Sequence, residues 1–343
     1  MIASLPPRLQ DVLEEKLTEL PGSELKIIAR RLSDAYRAHR ASGRKRFVRD
    51  RPQALAQAAL RLPAAHAQLQ AVFETAADLA PDFAPTTVLD LGSGPGTALW
   101  AARAVWPSLE KAVACEKEPS TRRLAQELAD GGGLTDGLSV RWVEDDITQG
   151  IPAGRFDLVL LGSVLSELDP ADRRRLGIKA WGACAGVLVA VEPGTPPTFR
   201  VLEDLRQQLV GMGGSTWAPC PHDDACPLRG DDWCHFVQRH LRPPFQKQAK
   251  TASLPYEDAT FSHVVVGREP APQRPWARVL RVPGKAKRRL GFELCTSEGL
   301  RHETVPKSRK EAYRLAKTLD WGSAVASPEV LGIDADAETD GDA

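Results

Sequence analysis

The 343-residue chain reads as an α/β protein. A parallel sheet covered on both faces forms its centre, with an all-helical segment before it and a small α+β segment after it. Three observations predict this. From residue 87 to 191, short apolar runs alternate with amphipathic stretches at the spacing of repeated strand–helix units. Residues 8–80 place apolar side chains at three- and four-residue steps throughout. Residues 270–325 offer short strand-like runs and then one more helical stretch.

The elements follow in order. Leu9, Val12, Leu13, Leu17 and Leu20 share one helical face, and Ile27, Ile28, Leu32 and Tyr36 continue the period after Pro21-Gly22. Leu55, Ala58, Ala59, Leu62, Leu69, Val72 and Phe73 extend it to a proline-rich hinge at residues 80–85. Strands are expected over 87–91, 111–115, 139–143, 156–162 and 186–191, with helices over 96–105, 119–128, 171–184 and 198–209. A further strand is expected over 261–267, then strands at 278–282 and 290–295 and a helix over 308–319. The expected domains are residues 1–80 (helical), 81–268 (sheet, with a cysteine-rich insertion near 217–242) and 269–325 (basic, α+β). Residues 326–343 form an acidic tail whose composition cannot support a core.

Composition excludes several classes. Hydrophobic residues make up 42% of the chain, enough for a sizeable core, so the protein is not wholly disordered. No apolar run approaches the ~18 residues of a membrane helix. The N-terminal stretch is proline-rich and then acidic, unlike a signal or transit peptide. A cytoplasmic, bacterial-type protein is expected, in which the six cysteines stay reduced and clustered ones are metal candidates.

Charges balance at 45 Lys+Arg against 45 Asp+Glu, but they are segregated. Residues 268–317 hold 14 basic and 5 acidic side chains, a net of +9, whereas 319–343 hold 7 acidic and none basic. The first 66 residues carry 13 basic against 7 acidic, six of the basics lying within 40–51. Two basic blocks around a neutral centre favour a polyanionic partner over plain solvated faces.

Between the first expected strand and its helix runs Asp90-Leu91-Gly92-Ser93-Gly94-Pro95-Gly96-Thr97. Glycines there let the backbone turn sharply and approach a ligand closely. The third glycine of a dinucleotide fingerprint is replaced by Thr97. An acid followed by G-x-G-x-G resembles motif I of the Rossmann-like seven-strand S-adenosylmethionine methyltransferases. That resemblance implies that Asp90, Gly92, Gly94 and Gly96 border the methionine part of the cofactor. It implies a ribose-binding acid after the second strand, with Glu118 the better match and Glu116 the alternative. Asp146 is the matching acid near the adenine amine. The fourth strand ends without an Asn/Asp-Pro-Pro-Tyr/Phe tetrad or a Pro-Cys nucleophile, so the catalytic residues are unknown.

Three of the six cysteines fall within fifteen residues, Cys220, Cys226 and Cys234, spaced C-x5-C-x7-C with prolines after the first two. Soft thiolates at this density choose zinc or an iron–sulfur cluster. The paired spacing of zinc knuckles is missing. His222, His235 and Cys295 are the possible fourth ligands. Cys115 and Cys184 read as core.

The segments Pro-Cys-Pro-His-x-x-x-Cys-Pro at 219–227, Asp-Trp-Cys-His-Phe at 232–236 and Pro-Tyr-Glu-Asp-x-x-Phe-Ser at 255–262 resemble one family. So do Glu192-Pro193-Gly194-Thr195-Pro196 and Leu294-Cys295-Thr296-x-Glu298-Gly299. It is the methyltransferase-like family that assists small ribosomal subunit assembly: mitochondrial methyltransferase-like protein seventeen and its bacterial relatives. The resemblance covers roughly residues 85–322. It implies a [4Fe-4S] cluster held by Cys220, Cys226, Cys234 and Cys295, set between the sheet domain and the C-terminal domain. It also implies association with small-subunit rRNA and assembly intermediates, with the chain a monomer off the ribosome. Arg278, Arg281, Lys285, Lys287, Arg288 and Arg289 are the expected rRNA-backbone surface, around a turn at Pro283-Gly284. An active rRNA methyltransferase and a small-molecule methyltransferase with a structural metal are the competing readings, the latter leaving the +9 block without a role.

Overall fold

The computed structural model describes residues 2–39 and 48–333. The basic cluster within 40–51 therefore lies mostly outside the described residues, as does the acidic tail from 334.

Three helices open the chain, α1 (Pro7–Leu17), α2 (Gly22–His39) and α3 (Arg51–Leu79). Asp50 caps α3 by accepting from the Gln53 backbone N–H at 2.9 Å, and Pro52 sits in the first turn, where its missing N–H is not needed. Five parallel strands follow: β1 (Thr87–Leu91), β2 (Lys111–Cys115), β3 (Ser139–Val143), β4 (Phe156–Gly162) and β5 (Cys184–Pro193). The helices α4 (Thr97–Val105), α5 (Pro119–Gly132), α6 (Pro170–Ala183) and α7 (Pro196–Gly211) alternate with them.

The sheet has eight strands. Beyond β5 lie β6 (Ser215–Ala218), β7 (Phe236–Leu241) and the long antiparallel β8 (Tyr256–Gly267), in the order β3-β2-β1-β4-β5-β8-β6 with β7 also on β8. That path is the seven-strand methyltransferase topology, and β7 is an addition to it. Side chains along the central strands alternate between two cores. Leu158, Leu160, Val187 and Val189 face the side packed by α3, α4 and α5. Val159, Leu161, Leu188 and Ala190 face α6 and α7. The N-terminal helices thus share a core with the sheet instead of building their own.

β6 and β7 lie end to end along one edge of β8. Ser215 pairs with Gly267 at one end and Leu241 with Tyr256 at the other. The chain between them, residues 219–235, leaves the sheet in the middle of this edge, and it carries three cysteines.

A second, five-stranded sheet follows: β9 (Ala277–Val279), β10 (Gly284–Ala286), β11 (Arg289–Thr296), β12 (Gly299–Pro306) and β13 (Ala324–Val325). It has its own core, with Val279, Phe292, Leu294, Val305 and Val325 packed on Ala312 and Ala316 of a short helix over Lys310–Ala316. Among the described residues no helix is long and apolar enough to cross a membrane.

Candidate functional site

The first site lies at the carboxyl ends of β1, β2 and β4, where the strand order reverses and open α/β sheets bind ligands. Gly92, Gly94 and Gly96 have φ of 77°, 54° and 79°, a region that side-chain-bearing residues avoid. The Gly92 and Ser93 amides both donate to the Cys115 carbonyl at 2.9 Å, fixing the loop to the next strand. A Cβ on Gly94 would meet open space, so the backbone there is bare toward the cavity.

That cavity, about 530 Å³, is lined by Asp90, Gly92, Gly94, Glu116, Glu118 and Asp146 together, and Gly96 begins α4 beside it. The structure thus gathers the expected cofactor residues in one place. Within it the two glutamates differ. Glu116 accepts from the Gly94 amide at 3.0 Å and the Glu118 amide at 2.7 Å, bridging the glycine loop to the start of α5. Glu118 is buried at the N-terminal boundary of α5 and makes no side-chain cap there. Asp146 turns one oxygen back on Thr148, accepting from its amide and hydroxyl.

Asp90 is 1% exposed and its Oδ2 has no partner. Burial, and then the charge of Glu116, push its carboxyl up to about 7. A buried orphan oxygen facing a cavity suits a cationic or hydrogen-bonding ligand, and the bare glycine backbone leaves room for one. The residues fit S-adenosylmethionine.

Ser163 is a cavity residue that sequence reasoning missed. It holds φ 56° just beyond β4, with its amide donating to the Val191 carbonyl at 2.7 Å. A non-glycine residue in that region stores on the order of 1–3 kcal/mol. Only the Gly162-Ser163 step after an apolar strand hinted at it. Through Arg61, Ala65, Gln68 and Ser163 the cavity adjoins a groove of about 990 Å³ that also carries Lys26 and Arg30.

The second site is the cysteine loop. Cys220, Cys226 and Cys234, together with Cys295 from β11, line one cavity of about 30 Å³. Distant parts of the chain bring them together. The Ser262 hydroxyl donates to the Cys234 carbonyl at 2.7 Å. His222 Nε2 lies 3.5 Å from Cys295 Sγ, so that histidine also reaches the site. His235 does not: it stacks on Trp233 and meets Trp321 edge-on.

Burial pushes all four thiols upward, with neighbouring cysteines adding to it at Cys226, Cys234 and Cys295; Cys226 rises to about 11 and Cys295 to about 12. Thiols of this kind ionise when a cation binds them. Among the described residues no group of three or more ligating side chains converges as a single-ion site would. The donors nevertheless suit a thiophilic metal group, because two buried guanidiniums, Arg206 and Arg278, share the cavity wall. Arg278 Nη2 and Arg206 Nε have no partner.

This corrects the expected rRNA surface. Arg278 is 4% exposed and points into the cysteine cavity, because β9 is enclosed between β11, β13 and the cysteine loop. Arg281 is half-buried, ion-paired with Asp232 and bonded to the Leu280 carbonyl. Lys285, Lys287, Arg288 and Arg289 are exposed on the β10–β11 turn. Lys307, whose amide donates to the Arg288 carbonyl at 2.8 Å, is exposed next to them and was not singled out from sequence.

A family model described as mitochondrial small ribosomal subunit Rsm22 matches residues 51–326. The human mitochondrial ribosome assembly protein METTL17 is 30% identical over 283 residues, covering 77% of this chain and 60% of its own length. The Schizosaccharomyces pombe mitochondrial Rsm22-cox11 tandem protein 2 is 24% identical over 287 residues, covering 68% of this chain and 38% of its own. The chain therefore spans less than two thirds of these relatives. Among solved structures it is similar to magnesium protoporphyrin IX methyltransferase of Synechocystis PCC 6803, at 14% identity and a TM-score of 0.40. That likeness covers 69% of this chain and 93% of the other. The curated relatives are mitochondrial, which overturns the expectation of a bacterial-type cytoplasmic protein.

Proposed function

We propose a function from one premise: this chain belongs to the Rsm22 family of mitochondrial small ribosomal subunit proteins. It acts as an assembly protein of the small ribosomal subunit, of the mitochondrial type, and binds rRNA through its second sheet. The observation that carries this reading is the convergence of Cys220, Cys226 and Cys234 with Cys295 on one cavity. It joins the methyltransferase-like sheet to the basic hairpin of residues 284–289, so a metal group there would fix the RNA-facing surface against the rest of the molecule.

Cys220, Cys226, Cys234 and Cys295 would hold a [4Fe-4S] cluster, which supplies cross-linking through four thiolates. C-x5-C-x7-C spacing and the family resemblance favour it over zinc. Asp90, the Gly92–Gly96 loop, Glu116 and Asp146 would hold S-adenosylmethionine, whose chemistry is methyl donation. The chain's own part is to bind and orient. Glu116 ties the glycine loop to α5, and Asp90 waits for a donor on the ligand. We retain 1–80, 81–268 and 269–325 as the proposed division into helical, sheet and RNA-facing parts.

The test is anaerobic purification followed by iron and acid-labile sulfide analysis, then co-sedimentation with small-subunit particles. Four irons and four sulfides, with binding weakened in Cys295→Ser, are expected. One zinc and no sulfide overturns the cluster, and undiminished binding by Cys295→Ser overturns the clamp. The groove adjoining the cofactor cavity favours a second reading, an active rRNA methyltransferase. Tritium transfer from labelled S-adenosylmethionine to particles separates the two.

A further inference from the structure

We propose that Arg206 and Arg278 form a buried cationic wall that compensates the charge of a metal–thiolate group in the four-cysteine cavity and raises its reduction potential. The proposal rests on the four-thiolate reading above.

Both side chains are almost wholly buried, at 2% and 4% exposure. Each uses part of its fork on backbone carbonyls. Arg206 donates to the carbonyls of His222 at 2.6 Å and Asp224 at 2.9 Å, between the first two cysteines. Arg278 donates to the carbonyls of Pro219 and Gly322, each at 2.9 Å. One nitrogen on each guanidinium remains unpartnered, and both residues line the cysteine cavity. Neither pairs with a carboxylate among the described residues.

Carbonyl dipoles do not neutralise a charge. Two uncompensated guanidiniums inside a protein are expensive, and natural folds keep them only with an opposite charge at hand. The other polar lining groups do not supply it. Glu203 is engaged by Arg200 at 2.6 Å, and burial and then Arg278 hold His263 neutral, at about 3. The four cysteines are what is left. As neutral thiols they offer no compensation. As thiolates around a doubly charged core or ion they leave a net double negative charge, one for each guanidinium. An electron added to such a group is stabilised by nearby buried cations, so its potential rises with them.

The experiment uses the full chain purified anaerobically, with Arg278→Met, Arg206→Met and the charge-keeping Arg278→Lys and Arg206→Lys. Iron and sulfide content, the reduction midpoint and the rate of metal loss to a chelator are measured. Each Met variant should make one-electron reduction about tenfold less favourable, a fall of about 59 mV, and should lose metal faster. Each Lys variant should recover most of both effects. A folded, metal-bearing Met variant with unchanged midpoint and chelator rate overturns the proposal. So does loss of metal as complete in the Lys variants as in the Met variants, since the guanidiniums would then only brace the loop. Wild-type protein without bound metal overturns the four-thiolate reading itself, a separate failure visible before any variant is made.

Discussion

Cys295 on β11 and Arg278 on β9 stand directly opposite one another across an antiparallel pair, and both side chains enter the cysteine cavity. Opposed residues of such a pair share a face of the sheet. The second sheet therefore presents a thiol and a cation side by side to the loop that brings the other three thiols. Arg278 also bonds the Pro219 carbonyl, one residue before Cys220. The second sheet keeps a core of its own, while Leu280, Cys295 and Trp321 pack into the core of the first.

Undocking without unfolding follows from that separate core. In Cys295→Ser, or after chelation, amide exchange should accelerate at the interface (Arg278, Cys295 and the loop 219–235) while the core strands of both sheets stay protected. Affinity for small-subunit rRNA should fall at least about tenfold, or ~1.4 kcal/mol. Exchange mass spectrometry with and without chelator checks it. An unchanged exchange pattern would mean that the metal site does not clamp the second sheet.

Asp90 sets stability against binding. Its carboxyl lies near 7 in the fold against 3.8 in a free chain. A raised value means that its stabilising contribution is present below about pH 4 and is lost as pH rises through about 7. Asp90→Asn should therefore be the more stable protein at pH 8, by ~1–3 kcal/mol, and the gain should vanish near pH 4. Calorimetry on the same variant should show S-adenosylmethionine bound at least about tenfold more weakly. Denaturant melts across pH test the sign, and a variant less stable at pH 8 refutes it.

Glu116 and Glu118 are separable by a binding measurement. Glu116 holds the Gly94 amide within the loop, so Glu116→Ala removes both a ligand acceptor and a loop tether. Its loss should weaken S-adenosylmethionine by ~10–100-fold. Glu118→Ala should change affinity by less than about threefold. The reverse ranking would assign the ribose to Glu118, the better match in sequence.

Legibility differed by element, for physical reasons. The strands β1, β2 and β4 were readable to the residue because, buried within the parallel sheet, they are near-continuous apolar runs. β3, at the sheet edge, was readable by alternation, with Val140 and Trp142 half-buried beside exposed Ser139 and Arg141. β6 and β7 were missed because they are short and separated by an irregular loop, and their pairing depends on an unexpectedly long β8. β12 was missed because only one of its faces is covered and its sequence is mostly polar. In the site, glycines, acids and cysteines were visible as residue types with a spacing. Which arginines face outward was not, since composition carries no information on the face of a strand. Arg278 and Lys285 look alike in sequence, and their environments are opposite.

The exposed hairpin carries the last prediction. Lys285, Lys287, Arg288 and Arg289 crowd one turn between β10 and β11, and Lys307 is held next to them by its amide bond to Arg288. Like charges that close repel, and at such a turn a phosphate backbone relieves them. Arginine does so with a planar fork matched to two phosphate oxygens. Every phosphate left unneutralised should reduce the log–log salt slope of rRNA duplex binding by ~0.9. Replacing Lys285, Lys287, Arg288 and Arg289 with Ala should therefore flatten the slope by up to ~3–4, and adding Lys307→Ala should flatten it further. All five side chains are exposed and lie outside the cysteine cavity, so cluster absorbance and thermal stability should not change. Binding measured from low to moderate salt, with absorbance recorded on the same samples, decides it. An unchanged slope in a protein with intact absorbance would move the rRNA-binding face off this sheet.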